Sequence, residues 1–137
     1  MNSPTLILKR KNSQNGVLSP TRVLIIDDDA DTTDLLKVFL TPEFQVFTCN
    51  SAVEGIQRVR NLQPDVIILD LMMPDMDGLD VCTAIREFSN IPILVVSAIS
   101  KPEVSMQALD RGADDFLLKP VKSKVLIAHL NKLLRRK

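Results

Sequence analysis

The chain has neither tryptophan nor tyrosine, only two cysteines, and no apolar run near the roughly 20 residues that a membrane-crossing helix needs. No helical membrane span is therefore expected, and intrinsic fluorescence is a poor probe of the protein. Cys49 and Cys82 lack metal-ligand spacing and sit among apolar neighbours, so they are expected to be reduced thiols in or near the core. Neither GxxxxGK[ST] nor GxGxxG occurs, which leaves nucleotide binding without support. The N-terminal "MNSPTLILKRKNSQNGVLSP" has no long apolar core behind a basic start and does not read as a secretory signal, so a cytoplasmic protein is expected.

What is present is unevenly distributed. The formal net charge is zero, with 17 basic and 17 acidic residues. The ends are basic: Lys9, Arg10, Lys11 and Arg22 precede any acid, and Lys132, Arg135, Arg136 and Lys137 follow the last one. All 17 acids and only 9 bases lie between Val23 and Asn131, a net charge of −8 for that body. A nucleic-acid backbone needs a basic footprint, so the body is not expected to bind one directly.

At 137 residues the length suits one domain. Residues 1–20 mix Asn, Ser, Gln and Gly between Pro4 and Pro20 and are expected to form a flexible extension, leaving residues 21–137 as the domain. Within it, "RVLIID", "FQVFTC", "DVIILDL", "IPILVVSA" and "DDFLLKP" predict strands. Between and after them "DTTDLLKVFL", "SAVEGIQRVRNL", "GLDVCTAIREF", "KPEVSMQALDRG" and "KSKVLIAHLNKLLRR" carry helical spacing. Continuously apolar strands suit a parallel sheet covered on both faces by crossover helices. The expected fold is a doubly wound α/β sandwich with five parallel strands in the flavodoxin-like order 2-1-3-4-5 and five helices.

Folds of this kind collect functional groups at the carboxyl ends of their strands. The first predicted strand runs into Asp27, Asp28 and Asp29, the third into Asp70, the fourth into Ser97, and the fifth into Lys119 and Pro120. The aspartate run alone has two equally good accounts: carboxylates around a cation, or a solvated turn with Asp29 or Asp31 capping a helix. The proposed strand order places the ends of strands one, three, four and five side by side, and three carboxylates then meet a hydroxyl and an ammonium. Such oxygens suit Mg²⁺, and Asp70 beside a metal and Lys119 is placed to act as a nucleophile in phosphoryl transfer.

The motifs "DDD", "DLMMPDMDGLD", "VVSA" and "DDFLLKP", in this order at successive strand ends, make the chain similar to a response-regulator receiver domain of two-component signalling from about Arg22 onward. The resemblance implies Asp28 as a direct Mg²⁺ ligand with Asp27 in the acidic pocket. It makes Asp70 the phospho-acceptor and second ligand, and the backbone carbonyl of Met72 the third. It also implies that Ser97 and Lys119 bind phosphoryl oxygens, that Phe116 is the switch aromatic, and that Pro120 follows a cis peptide bond. A sensor histidine kinase would be the phosphodonor. The chain would catalyse its own phosphorylation and slow dephosphorylation while acting mainly as a signalling switch. Met72 and Ile99, which the resemblance sets beside the phosphoryl group, are apolar and hold no hydrolytic water.

Two other frames fail. An EF-hand register on "DMDG" would need Met73 and Ala84 as ligands, and a haloacid-dehalogenase-type phosphatase needs an acid where Met72 stands. The C-terminal "GADDF…LLKP…LLRR" most resembles receivers of winged-helix transcription factors, which pair through the fourth helix, fifth strand and fifth helix. Of their cross-interface ion pairs only Asp114 with Arg136 is matched. Val125 and His129 replace an acid and an arginine, and Ser105 replaces a base. Phosphorylation-driven homodimerisation, with Val125 in an apolar contact, is one expectation. The alternative is a single-domain adaptor or phosphoryl shuttle that presents this face to a different protein.

Overall fold

The computed structural model describes residues 9–11 and 18–136, which form β1 (Lys9–Lys11), β2 (Leu18–Pro20), β3 (Arg22–Ile26), α1 (Ala30–Leu40), β4 (Gln45–Cys49) and α2 (Ala52–Leu62). Then follow β5 (Val66–Leu69), α3 (Gly78–Arg86), β6 (Ile93–Ser97), α4 (Pro102–Asp110), β7 (Asp115–Leu118) and α5 (Ser123–Arg135). Five of the strands form one parallel sheet in the order β4-β3-β5-β6-β7. Numbered within that sheet, the order is 2-1-3-4-5, and the doubly wound fold expected from the apolar pattern is present.

The sheet is covered on both faces, which is why its strands carry no polar alternation. Leu24, Ile26, Ile67, Leu69, Ile93 and Val95 pack with Val59, Val81, Cys82, Ile85 and Ala108 of α2, α3 and α4. Val23, Ile25, Val66, Ile68, Leu94 and Val96 pack with Leu36 and Leu40 of α1 and Leu126, Leu130 and Leu133 of α5. Residues of one strand alternate between the two clusters, as the pleat requires. At the rim, Asp29 caps α1 by accepting from the Asp31 N–H, Ser51 caps α2 and Asp77 caps α3. Gly78 opens α3 against the loop after β5, where a Cβ would meet the Leu71 Cα at 2.3 Å.

The expected flexible extension over residues 1–20 falls largely outside the described residues; within them, Lys9–Lys11 pairs antiparallel with Leu18–Pro20. Cys49 and Cys82 are free and buried. Among the described residues no helix is long and apolar enough to cross a membrane.

Candidate functional site

The strand ends are held in register by backbone bonds that continue the sheet ladder one residue past each strand. The Asp27 N–H donates to the Cys49 carbonyl at 3.0 Å, that of Asp70 to Ile26 at 2.9 Å, and that of Lys119 to Ser97 at 2.9 Å. This places one carboxylate oxygen each from Asp27, Asp28 and Asp70 within 4.8 Å of one another. Asp27 and Asp70 are buried and Asp28 is exposed. The Lys119 ammonium donates to Asp27 Oδ2 at 2.8 Å and stands 3.8 Å from Asp70 Oδ2. The second Asp27 oxygen accepts the Asp29 N–H at 3.0 Å.

Three carboxylates around one ammonium leave a net negative pocket. Burial, and then the charge of Asp27, push the Asp70 carboxyl above its ordinary pKa, against the pull of Lys119 and the N–H groups of Met72 and Leu71. Burial works against the Lys119 ammonium, but its hydrogen bond to Asp27 and the charges of Asp70, Asp27 and Asp29 outweigh that, so its pKa is raised. The donor set is all hard oxygen, one side exposed, which fits a Mg²⁺ ion that keeps several waters.

The remaining groups surround this cluster. Ser97 ends β6 fully buried, its Oγ accepting the Ile99 N–H at 3.3 Å. Phe116 on β7 is half-buried against the α2, α3 and α4 side of the core. It also lines a groove of about 390 Å³ with Ile99, Pro102, Ser105 and Leu118. The Lys119–Pro120 peptide bond is cis, as is Thr41–Pro42.

The family model described as "Response regulator receiver domain" matches residues 23–131. The chain belongs to the response-regulator receiver domains. It is 38% identical over 116 residues to the DNA-binding response regulator MtrA of Mycobacterium tuberculosis, covering 84% of this chain and 51% of that protein. It is 40% identical over 126 residues to the transcriptional regulatory protein PrrA of Mycobacterium leprae, covering 89% and 53%. A two-component response regulator from Clostridium difficile superposes with a TM-score of 0.82 at 32% identity, covering 85% of this chain and 97% of that one. The chain spans about half the length of the curated relatives it matches.

Of the residues expected at an interface, Asp114 and His129 have partners within the chain. Asp114 accepts from Arg86 Nη2 at 2.9 Å and from the Ile93 N–H at 2.8 Å. Arg136 lines a groove of about 230 Å³ with Asp114, Asn90, Pro92 and Leu133. His129 Nδ1 lies 2.6 Å from Asp115 Oδ2, and Val125 is exposed on α5.

Three contributors escaped the sequence analysis. Asn50, just past β4, donates from Nδ2 to the Asp27 carbonyl at 2.8 Å and to Thr33 Oγ1 at 3.2 Å, bracing the loop between β3 and α1. Asp75 accepts the Ala52 and Val53 N–H groups, each at 3.1 Å, and so ties the loop after β5 to the start of α2. Arg86 binds three backbone carbonyls besides Asp114. An asparagine at a strand end was the one visible signal among these; the other two bind backbone groups, which have no signature in sequence.

Proposed function

We propose that Asp70 is the phospho-acceptor of this receiver and that its phosphorylation resets the α4-β7-α5 face to drive pairing of a DNA-binding response regulator. The observation that carries the reading is Lys119 between two buried carboxylates, 2.8 Å from Asp27 and 3.8 Å from Asp70, with Asp28 open to solvent beside them. An ion pair built only for stability would leave no excess of carboxylate.

Response regulators receive their phosphoryl group from sensor histidine kinases. A lone pair of an Asp70 carboxylate oxygen attacks the phosphorus of the donor phosphohistidine; the O–P bond forms as the P–N bond breaks, and the imidazole nitrogen leaves with the electron pair. Asp28, Asp70 and the Met72 carbonyl would hold Mg²⁺, with Asp27 completing the acidic pocket. The ion supplies charge neutralisation at the phosphoryl oxygens. Lys119 takes up one phosphoryl oxygen and orients the acceptor. Ser97 gives up the Ile99 N–H to bond another, and Phe116 turns inward behind it, which alters the groove shared with Ser105 and Leu118. The homologues named as DNA-binding and transcriptional regulators support a pairing output. Leu118 and Val125, both exposed on that face, supply apolar surface in place of the missing ion pairs.

The test combines two readouts in the presence of Mg²⁺. Incubation with acetyl phosphate should add one phosphoryl group to the wild type and none to Asp70→Asn. Light scattering behind size-exclusion chromatography should then double in mass with beryllofluoride in the wild type alone. Phosphoryl uptake by Asp70→Asn would overturn the site assignment. A monomer with bound beryllofluoride would overturn pairing and favour a hetero-partner at the same face.

A further inference from the structure

We propose that Met72 is a reversible oxidation site, at which a peroxide converts the thioether to a sulfoxide and thereby shortens the lifetime of the phosphorylated state. The inference rests on Asp70 being the phospho-acceptor.

The sulfur inventory is selective. Cys49 and Cys82 are buried, and desolvation holds both thiols at a pKa of about 11, so neither offers an accessible thiolate to an oxidant. Met73 is 8% exposed. Met72 and Met106 are 60% and 65% exposed, while Met76 is half-buried in the same groove as Met72. Met106 lies on α4, on the outer surface of the fold. Met72 is fixed at the reacting group, because its own backbone N–H donates to the Asp70 carboxylate. It lines a groove of about 730 Å³ whose apolar wall is formed by Ile99, Met76 and Val104 and whose polar members are Asp75, Asp77 and Gln107.

The chemistry balances without a metal or cofactor. The thioether sulfur attacks one oxygen of hydrogen peroxide, the O–O bond breaks as the S–O bond forms, and the departing hydroxide takes up the proton to leave water. Sulfur is oxidised by two electrons and the peroxide is reduced. The product exchanges an apolar group for a strong hydrogen-bond acceptor at a solvent-exposed position two residues from Asp70. An acceptor beside a phosphoryl group binds a water and orients its lone pair for attack on phosphorus, which shortens the acyl phosphate's life. Methionine sulfoxide reductases restore the thioether, so the effect is reversible.

The experiment treats purified protein with hydrogen peroxide, removes the oxidant, loads Asp70 with acetyl phosphate and Mg²⁺, and follows loss of the phosphoryl group by intact mass. Wild type, Met106→Leu and Met72→Leu are compared, each with its own unoxidised sample, and peptide mapping locates the added oxygen. Wild type and Met106→Leu should lose the phosphoryl group about tenfold faster after oxidation, below the 10²–10⁴ typical of a full general base. Reductase treatment should restore the slow rate, and Met72→Leu should not respond to peroxide. A Met72 that stays unoxidised while Met106 is converted, an unchanged or slower rate on oxidised wild type, or acceleration in Met72→Leu would each overturn the proposal. Failure of the unoxidised wild type to take up phosphate at Asp70 is a different result: it removes the functional reading itself, and this inference with it.

Discussion

Two cation-carboxylate groups flank β7, one at each end, and they are built on opposite principles. Before the strand, Arg86 donates to the carbonyls of Gly112, Ser89 and Ile91 at 2.9, 3.1 and 2.8 Å, and to Asp114 at 2.9 Å. Asp114 also takes the Ile93 N–H, and Gly112, at a φ of +107° that a side chain would strain, brings its carbonyl to the guanidinium. Charge is balanced there, and four of the five guanidinium N–H donors are used in these bonds. After the strand, one lysine faces Asp27, Asp28 and Asp70, leaving two negative charges uncompensated. A balanced pair tied to backbone is a structural brace; an unbalanced one at the convergence of strand ends is a place for a charged visitor.

The comparison can be broken at either end. The largest effect is expected from Asp70→Asn, which should abolish phosphoryl uptake altogether, measured by intact mass after acetyl phosphate. Next comes Arg86→Met, which strands Asp114 and three carbonyls and should lower stability by about 3 kcal/mol in urea titration while leaving Asp70 chemistry intact in the folded fraction. Met72→Asn or Met72→Glu introduces a polar group beside Asp70 and should speed dephosphorylation about tenfold, equivalent to about 1.4 kcal/mol in barrier. An unchanged rate would show that the apolar rim does not protect the phosphoryl group.

The smallest effect concerns stability without metal. The folded state raises the Asp70 pKa, so it binds the proton more tightly than the unfolded chain does. Stability therefore falls as pH rises from the ordinary aspartate value through the raised one, and the full penalty is present above the raised value. In chelator, at a pH above the raised value, Asp70→Asn should raise Tm by a few degrees. The difference should vanish at a pH below the ordinary aspartate value. Added Mg²⁺ should stabilise the wild type and narrow the gap.

The site was legible to the extent that it hangs on strands. Continuous apolar runs marked β3 through β7, and the strand order then brought Asp27, Asp28, Asp70 and Lys119 into one cluster although 92 residues separate Asp27 from Lys119. Groups that act through backbone were not legible. Arg86 read as one more charge in a helical stretch, because its acceptors are carbonyls in the α3-β6 and α4-β7 turns. Asp75 belongs to a string that mimics a calcium loop, yet it caps α2. His129 was compared only with a partner expected across an interface, whereas Asp115 lies beside it in the same chain.

The three amides that continue the sheet ladder, those of Asp27, Asp70 and Lys119, belong to the residues on which the proposed chemistry depends. The Asp70 amide joins β5 to β3 at the centre of the sheet, where amides exchange their hydrogens only when the whole domain opens, whereas Asp27 pairs with the edge strand β4 and Lys119 follows the edge strand β7. In deuterium exchange the Asp70 amide should thus be among the slowest in the domain, and slower than those of Asp27 and Lys119. Breathing of the molecule short of global unfolding leaves the acceptor in place, so its readiness tracks the survival of the fold as a whole.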